Sequence, residues 1–321
     1  MLDRLGLTHM ERFFMLSLLI GLVVGFGLPV QTAINSRLRQ VVGSPLRSSM
    51  ISFTVGTAFL IAVLLATLQG LLIPVATFSQ QPWWIWLGGI LGVVYLTGNI
   101  ILFPRLGAAQ TVIMPVVGQL IMSMLIDNFG WFGSPQHALT WIRVAGGIVV
   151  LVGVFLVVFT TSARNGLQKT RSSFLLPWQL AGIATGMMSA AQAAINGHLG
   201  VVLHSAVKAA FVSFFVGTVA LILIVAIAER GIHIRSAFSK NNPWWIWLGG
   251  VIGSLFVLGN AYLVPEIGTG LTVVILLFGM ISGGLLIDSR GWLGAQRVSV
   301  TPMQLIGVLA LICGVVLIKL F

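Results

Sequence analysis

Ten stretches of about twenty apolar residues follow one another along this chain, at 13–34, 46–69, 83–103, 106–126, 142–161, 176–195, 207–228, 244–264, 267–287 and 303–321. A run of that length crosses the roughly 30 Å hydrocarbon core of a bilayer as one α-helix. In lipid a helix also satisfies every backbone polar group within its own segment. The composition agrees: 58% of residues are hydrophobic and 7% charged, against roughly 25% charged in a soluble domain, and the mean hydropathy is +1.07. The expected fold is an all-α integral membrane protein of ten transmembrane helices. The first stretch is too long for a signal-peptide core and carries no A-x-A-like cleavage pattern, so it reads as a retained helix.

The ten stretches are two sets of five. PWWIWLGGILGVVYLTGNIILFP (82–104) aligns with PWWIWLGGVIGSLFVLGNAYLVP (243–265), with thirteen of twenty-three positions identical at an offset of 161. The same offset pairs Gln31 with Gln192, Asn35 with Asn196, Asn99 with Asn260, Val55-Gly56-Thr57 with Val216-Gly217-Thr218, and Asp127 with Asp288. Residues 13–161 form a first unit, 162–175 a polar linker and 176–321 a second unit. Five is odd, so the second unit enters the bilayer from the opposite face. Inverted repeats of this kind are frequent in secondary transporters, whose path lies between the repeats.

Charge sets the orientation. The loops after the odd-numbered stretches hold twelve basic residues, among them Arg37, Arg47, Arg105, Arg230 and Arg290. The other loops and the termini hold five: Arg4, Arg12, Arg143, Lys208 and Lys319. The excess of Lys and Arg marks cytoplasmic loops, which puts the linker in the cytoplasm and both termini outside. The net charge of +11 is therefore topological. With no basic helix interleaved with aromatics, nucleic acid is not an expected partner. The single Cys313 excludes an intrachain disulfide.

GLPVQTAINSRLR followed by SFTVGT, PWWIWLGG, the GN pair and LID-x-x-GW, repeated as AAQAAINGHLG, SFFVGT, PWWIWLGG, GN and LIDSRGW, resembles the YdcZ-like branch of the drug/metabolite transporter superfamily. The resemblance covers nearly the whole chain, which looks like two single-unit members fused in tandem. It implies the ten-helix fold of that superfamily, a bacterial inner-membrane location and a small-molecule carrier or exporter, without naming a substrate. The proton-exchanging glutamate inside the first helix of the small multidrug-resistance relatives has no match. The nearest carboxylate is Glu11, ahead of the apolar run, and its repeat counterpart is Ser172.

Amides are costly in a greasy chain, so the repeated Gln-x-x-x-Asn pairs are candidate site residues. Gln31 with Asn35, and Gln192 with Asn196, lie four apart on one helix face. Counted at 1.5 Å per residue, Gln31 stands about 27 Å and Asn99 about 24 Å along their helices. Gln31, Asn35 and Asn99 then form a layer near the cytoplasmic mouth, and Gln192, Asn196 and Asn260 one near the external mouth. Each layer reads as a gate or as interhelical hydrogen bonding. Gln119 breaks the symmetry, because its counterpart is Met280; it contacts substrate or a neighbouring helix. Asp127 and Asp288 end their helices before a Gly-Trp turn, and serve either to cap that turn or to couple an ion. Arg105 and Glu266 read as loop charges, and the PWWIWLGG motifs as interfacial anchors.

No histidine sits in a metal-binding cluster, and there is no phosphate-binding loop. Neither a catalytic residue, a metal nor a cofactor is expected. The estimated midplane, with Gly21, Gly25, Gly89, Gly92 and Tyr95, carries no charge and suggests a largely apolar or aromatic cavity. The expected function is secondary transport or export of a neutral or amphiphilic small molecule by alternating access. The alternative is a non-transporting membrane protein, such as a lipid scramblase or a structural partner. The lipid bilayer is the expected environment, and a homo-oligomer is compatible with the sequence.

Overall fold

The computed structural model describes residues 9–164, 176–290 and 300–320. The expected linker falls outside the described residues from 165 onward, and the side chains of Glu11, Arg105 and Asp288 fall outside them as well. The helices are α1 (His9–Val42), α2 (Pro45–Ala66), a short α3 (Val75–Gln80), α4 (Gly88–Phe129), α5 (Trp141–Arg164), α6 (Leu176–Val202), α7 (Ala206–Ala228), α8 (Leu248–Ile267), α9 (Thr269–Arg290) and α10 (Pro302–Leu320), with no strand among the described residues.

Among the described residues, six helical segments are long and apolar enough to cross a membrane: Phe14–Val42, Pro45–Ala66, Trp141–Phe159, Ala206–Ala228, Trp244–Ile267 and Thr269–Ile287. Ile113–Phe129 and Pro302–Ile318 are shorter apolar helices. α6 is absent from both sets because its glutamines, asparagine, serine and glycines dilute its hydropathy. Those residues face protein: Gly182, Thr185, Gly186, Ser189, Gln192 and Asn196 are all buried. A helix surrounded by other helices needs no lipid-compatible surface.

One expectation is corrected here. The third and fourth apolar stretches are not separate helices joined at Arg105, since the helical run is continuous from Gly88 to Phe129. The run bends all the same. A Cβ at Gly182 would lie 2.8 Å from the Cβ of Met114 and 3.7 Å from a methyl of Leu102, whereas twelve residues of straight helix would separate those two by about 18 Å. In the second half the matching turn falls between α8 and α9, at Gly268, whose φ of +81° suits glycine.

Contacts recur in exchanged form at the offset of 161. α2 and α7 run antiparallel: Ser44, the N-cap of α2, bonds Glu229 at the end of α7, and Ser205, the N-cap of α7, bonds Gln69 just beyond α2. Midway along, Phe53 stacks on Phe214 with centroids 4.8 Å apart, and Thr57 Oγ1 lies 2.9 Å from Thr218 Oγ1. α5 and α10 are also antiparallel, with Gly146 against Gly314 and Gly153 against Gly307. Without side chains at those four positions the two backbones approach closely, a common device for helices in lipid.

The Trp motifs differ in detail from a helix start. Pro82 and Pro243 each precede one 3₁₀ turn, Trp83–Trp86 and Trp244–Trp247, before the α-helix begins. Each turn sinks its isoleucine, Ile85 or Ile246, into the core and leaves its first tryptophan outside, with Trp83 and Trp244 both 74% exposed. That suits an interfacial anchor.

Candidate functional site

A cavity of about 30 Å³ lies where α4, α6, α8 and α9 converge, with Leu28 of α1 at its edge. That is space for roughly one or two water molecules. Its polar wall is made by Tyr95 and Gln119 of α4, Ser189, Gln192 and Asn196 of α6, and Asn260 of α8. Most of the remaining lining is apolar: Phe256 and Val257 of α8, and Val273, Leu276, Leu277 and Met280 of α9. Among the described residues, no charged side chain lines it.

The polar wall is only partly satisfied from within. Gln119 Nε2 donates to Ser189 Oγ at 3.2 Å and to Tyr95 Oη at 3.4 Å. Asn260 Nδ2 donates to the Phe256 carbonyl one turn back at 2.9 Å. Asn196 is 1% exposed, yet neither its Oδ1 nor its Nδ2 has a hydrogen-bond partner. A buried polar group left unbonded costs about 1–3 kcal/mol, so such groups are rare and call for an explanation.

The amide pairs owe their positions to glycines. A Cβ at Gly88 would sit 2.1 Å from Asn196 Oδ1, and one at Gly92 would sit 2.5 Å from Gln192 Nε2. One unit on, Gly249 meets Asn35 Oδ1 at 2.3 Å and Gly253 meets Gln31 Nε2 at 2.3 Å on the same measure. Each Gln-x-x-x-Asn face thus lies against a Gly-x-x-x-Gly face of the other half, made by the first glycine of each PWWIWLGG motif, Gly88 or Gly249, and the glycine four residues on, Gly92 or Gly253. The sequence reading took those motifs as anchors alone; the i, i+4 spacing of Gly88 with Gly92 was the available signal.

Four of the candidate residues, Gln119, Gln192, Asn196 and Asn260, meet at the cavity, together with Tyr95. Gln31 and Asn35 do not reach it. Asn35 Oδ1 accepts a hydrogen bond from Ser52 Oγ at 2.6 Å, and Gln31 and Asn35 are half-buried where their counterparts are fully buried. Asn99 lies off the lining, with its Oδ1 buried and unpartnered. The second-half amides therefore make one wall of a chamber. Most of the lining is apolar, but a polar cluster is set into it that the midplane reading did not foresee, because a position estimated along each helix axis cannot register how α4, α6 and α8 converge sideways.

Asp127 is occupied elsewhere. It is fully buried and accepts from the backbone N–H of Thr269 at 2.8 Å and of Gly270 at 2.9 Å, and from Ser134 Oγ at 3.3 Å. Arg143 Nη2 lies 3.3 Å from its other face. It caps the N-terminus of α9, where a carboxylate also meets the positive end of the helix dipole. Sequence reasoning missed Arg143 as its partner, and missed the Arg47–Glu229 ion pair that joins the start of α2 to the end of α7. Loop charges at span ends look solvated until the helices are packed. Glu266, by contrast, is exposed as expected.

The model of the family described as "Putative inner membrane exporter, YdcZ" matches the chain twice in tandem, over residues 16–156 and 177–317. The chain belongs to the YdcZ family. Membership makes it a membrane transporter of the exporter class rather than an enzyme, seated in a bacterial inner membrane as a multi-pass protein. Among its relatives, the inner membrane protein YdcZ of Escherichia coli (strain K12) is 30% identical over 142 residues, which are 94% of that protein and 44% of this chain. A solved structure titled only "Crystal structure of protein" superposes with a TM-score of 0.65 at 17% identity, covering 95% of this chain and 96% of the other. The fold is thus shared along nearly the whole length of both.

Proposed function

We propose that this YdcZ-family chain is a secondary transporter that exports an uncharged, amphiphilic small molecule by alternating access, with the cavity between α4, α6, α8 and α9 as its binding chamber. One observation carries the reading. A chamber lined by amides and apolar side chains, with no ionised group among its described lining residues, compensates the desolvation of a neutral molecule with a polar edge, but not that of a net charge. At about 30 Å³ the chamber has room for less than a substrate, so it must widen to load and release.

The reading includes ten spans, the bent α4 run crossing twice, arranged as two inverted five-helix units, 13–161 and 176–321, with both termini outside. Its support is the tandem family match at 16–156 and 177–317 and the exchange of contacts at the offset of 161, including the antiparallel crossing of α2 and α7. Asp127 is left out of ion coupling, since all its near partners are structural.

The test is a thermal-shift screen of purified protein against neutral and charged metabolites and drugs, followed by flux of the hits in proteoliposomes. Neutral amphiphiles are expected to stabilise the protein and to be transported, with both effects weakened by Asn196→Ala. Stabilisation by strongly charged solutes alone would overturn the reading.

A further inference from the structure

Equivalent residues of the two halves do not make equivalent bonds. In the first half Ser52 Oγ donates to Asn35 Oδ1 at 2.6 Å. The same pair one unit on, Ser213 and Asn196, is unbonded. Ser213 Oγ is buried without a partner, and so are both amide atoms of Asn196. The pair is not far apart, because a Cβ at Gly88 would lie 2.1 Å from Asn196 Oδ1 and 3.4 Å from Ser213 Oγ. A side-chain rotation is enough to bring them together. The difference between the halves is that Asn196 faces the cavity and Asn35 does not.

We propose that Asn196 anchors the transported molecule, and that Ser213 is its internal stand-in, closing onto Asn196 Oδ1 in the alternate state once the molecule has left. The inference rests on the transport reading above and deepens it. Whatever replaces the Ser213 hydroxyl must supply the same thing, a hydrogen-bond donor. The chamber therefore takes an uncharged molecule with an N–H or O–H on its polar edge and an acceptor beside it for Asn196 Nδ2. The Asn35–Ser52 bond is the matching latch of the other half, made here while its counterpart is open. Alternation of the two would link loading of the chamber to closure on the opposite side.

Two measurements test this. In a Cys313→Ser background, Ala193→Cys places a reporter thiol on the cavity wall, and its reaction with a small maleimide is timed from each side of the membrane. Ser52→Ala removes a bond present in this structure and Ser213→Ala removes one present only in the alternate state. The two are expected to shift the labelling rate in opposite directions, each by roughly fivefold, the population change set by one ordinary hydrogen bond. If these serines were merely structural, Ser213→Ala would change nothing, because Ser213 has no partner to lose; that outcome overturns the latch.

The second measurement is a thermal-shift panel of uncharged lactams, carboxamides and alcohols, each paired with its N- or O-methylated form. The parent of a pair is expected to bind at least fivefold more tightly than its methylated form, and to bind Ser213→Ala protein more tightly than wild type. Equal binding of both members of every pair, or of neither, overturns the anchoring role of Asn196. Labelling of Ala193→Cys from one side only, in every variant, would instead sink the transport reading itself.

Discussion

Thr57 Oγ1 and Thr218 Oγ1, 161 residues apart in sequence, lie 2.9 Å from each other in the core. Thr57 spends its proton on the Phe53 carbonyl at 2.9 Å, which leaves Thr218 as the donor in the shared bond. A residue that bonds its own repeat counterpart sits where the two halves exchange, and the Phe53–Phe214 stack one turn away marks the same place. The crossing of α2 and α7 is thus held by a hydroxyl pair and a ring pair at its centre, and by capping serines at both ends.

Thr57→Val and Thr218→Val should each lower the unfolding temperature in detergent, at a cost of about 1 kcal/mol. The double variant should lose less than the sum, with a coupling of roughly 0.6 kcal/mol. A double-mutant cycle checks this; strict additivity would mean that the contact contributes nothing.

Arg143→Met should destabilise strongly, by about 3–5 kcal/mol, because it strands the Asp127 carboxylate in a fully buried site. Asp127→Asn should be costly for the same reason in reverse, leaving the 5% exposed Arg143 without its counter-charge. Thermal melts report the loss. Wild-type melting of Asp127→Asn, combined with an altered pH dependence of transport, would return Asp127 to ion coupling.

Glycine substitutions should divide by what a Cβ would meet. At Gly186 it would lie 1.9 Å from the Pro115 carbonyl oxygen, a backbone atom that cannot move without separating α6 from α4. At Gly284 it would meet nothing within 4 Å. Gly186→Ala should therefore abolish folding or cost several kcal/mol, following the usual penalty of overpacking, about 1–3 kcal/mol or more. Gly284→Ala should be neutral or stabilising by up to about 1 kcal/mol, since alanine is the better helix former. Expression and melting of the two variants make the comparison.

Gln119→Met makes the fourth stretch match the ninth, where Met280 stands. It removes the bonds to Ser189 and Tyr95 and leaves an apolar chain of similar length. The fold should survive, while binding of a neutral amphiphile weakens about two- to tenfold, the range of one or two hydrogen bonds. Titration of any stabilising solute against both proteins decides it; unchanged affinity would remove Gln119 from the site.

Much of this was legible in the amino-acid order. The offset of 161 named partners that the fold later brought into contact, such as Thr57 with Thr218 and Phe53 with Phe214. The cost of amides in an apolar chain singled out seven residues, of which Gln119, Gln192, Asn196 and Asn260 line the cavity while Gln31, Asn35 and Asn99 do not. The continuous run through α4 was not legible, because two apolar stretches flanking Arg105 look like two helices whether or not the backbone breaks between them. Nor was the role of Asp127, whose main partners, Thr269 and Gly270, lie more than 140 residues away.

By itself, then, the sequence determined that the chain lives in a membrane, that it is a duplication, and which side chains are too polar to be there without a use. Hydropathy and spacing are properties along one dimension, and those conclusions need no more. Tertiary structure decided which of the matched amides face a chamber and which lie away from it, because that depends on how helices approach sideways. The approach is set by bare glycine faces such as Gly88 and Gly92, against which Asn196 and Gln192 settle. Two identical motifs were therefore free to end in different states, one closed on Ser52 and the other left open toward the cavity.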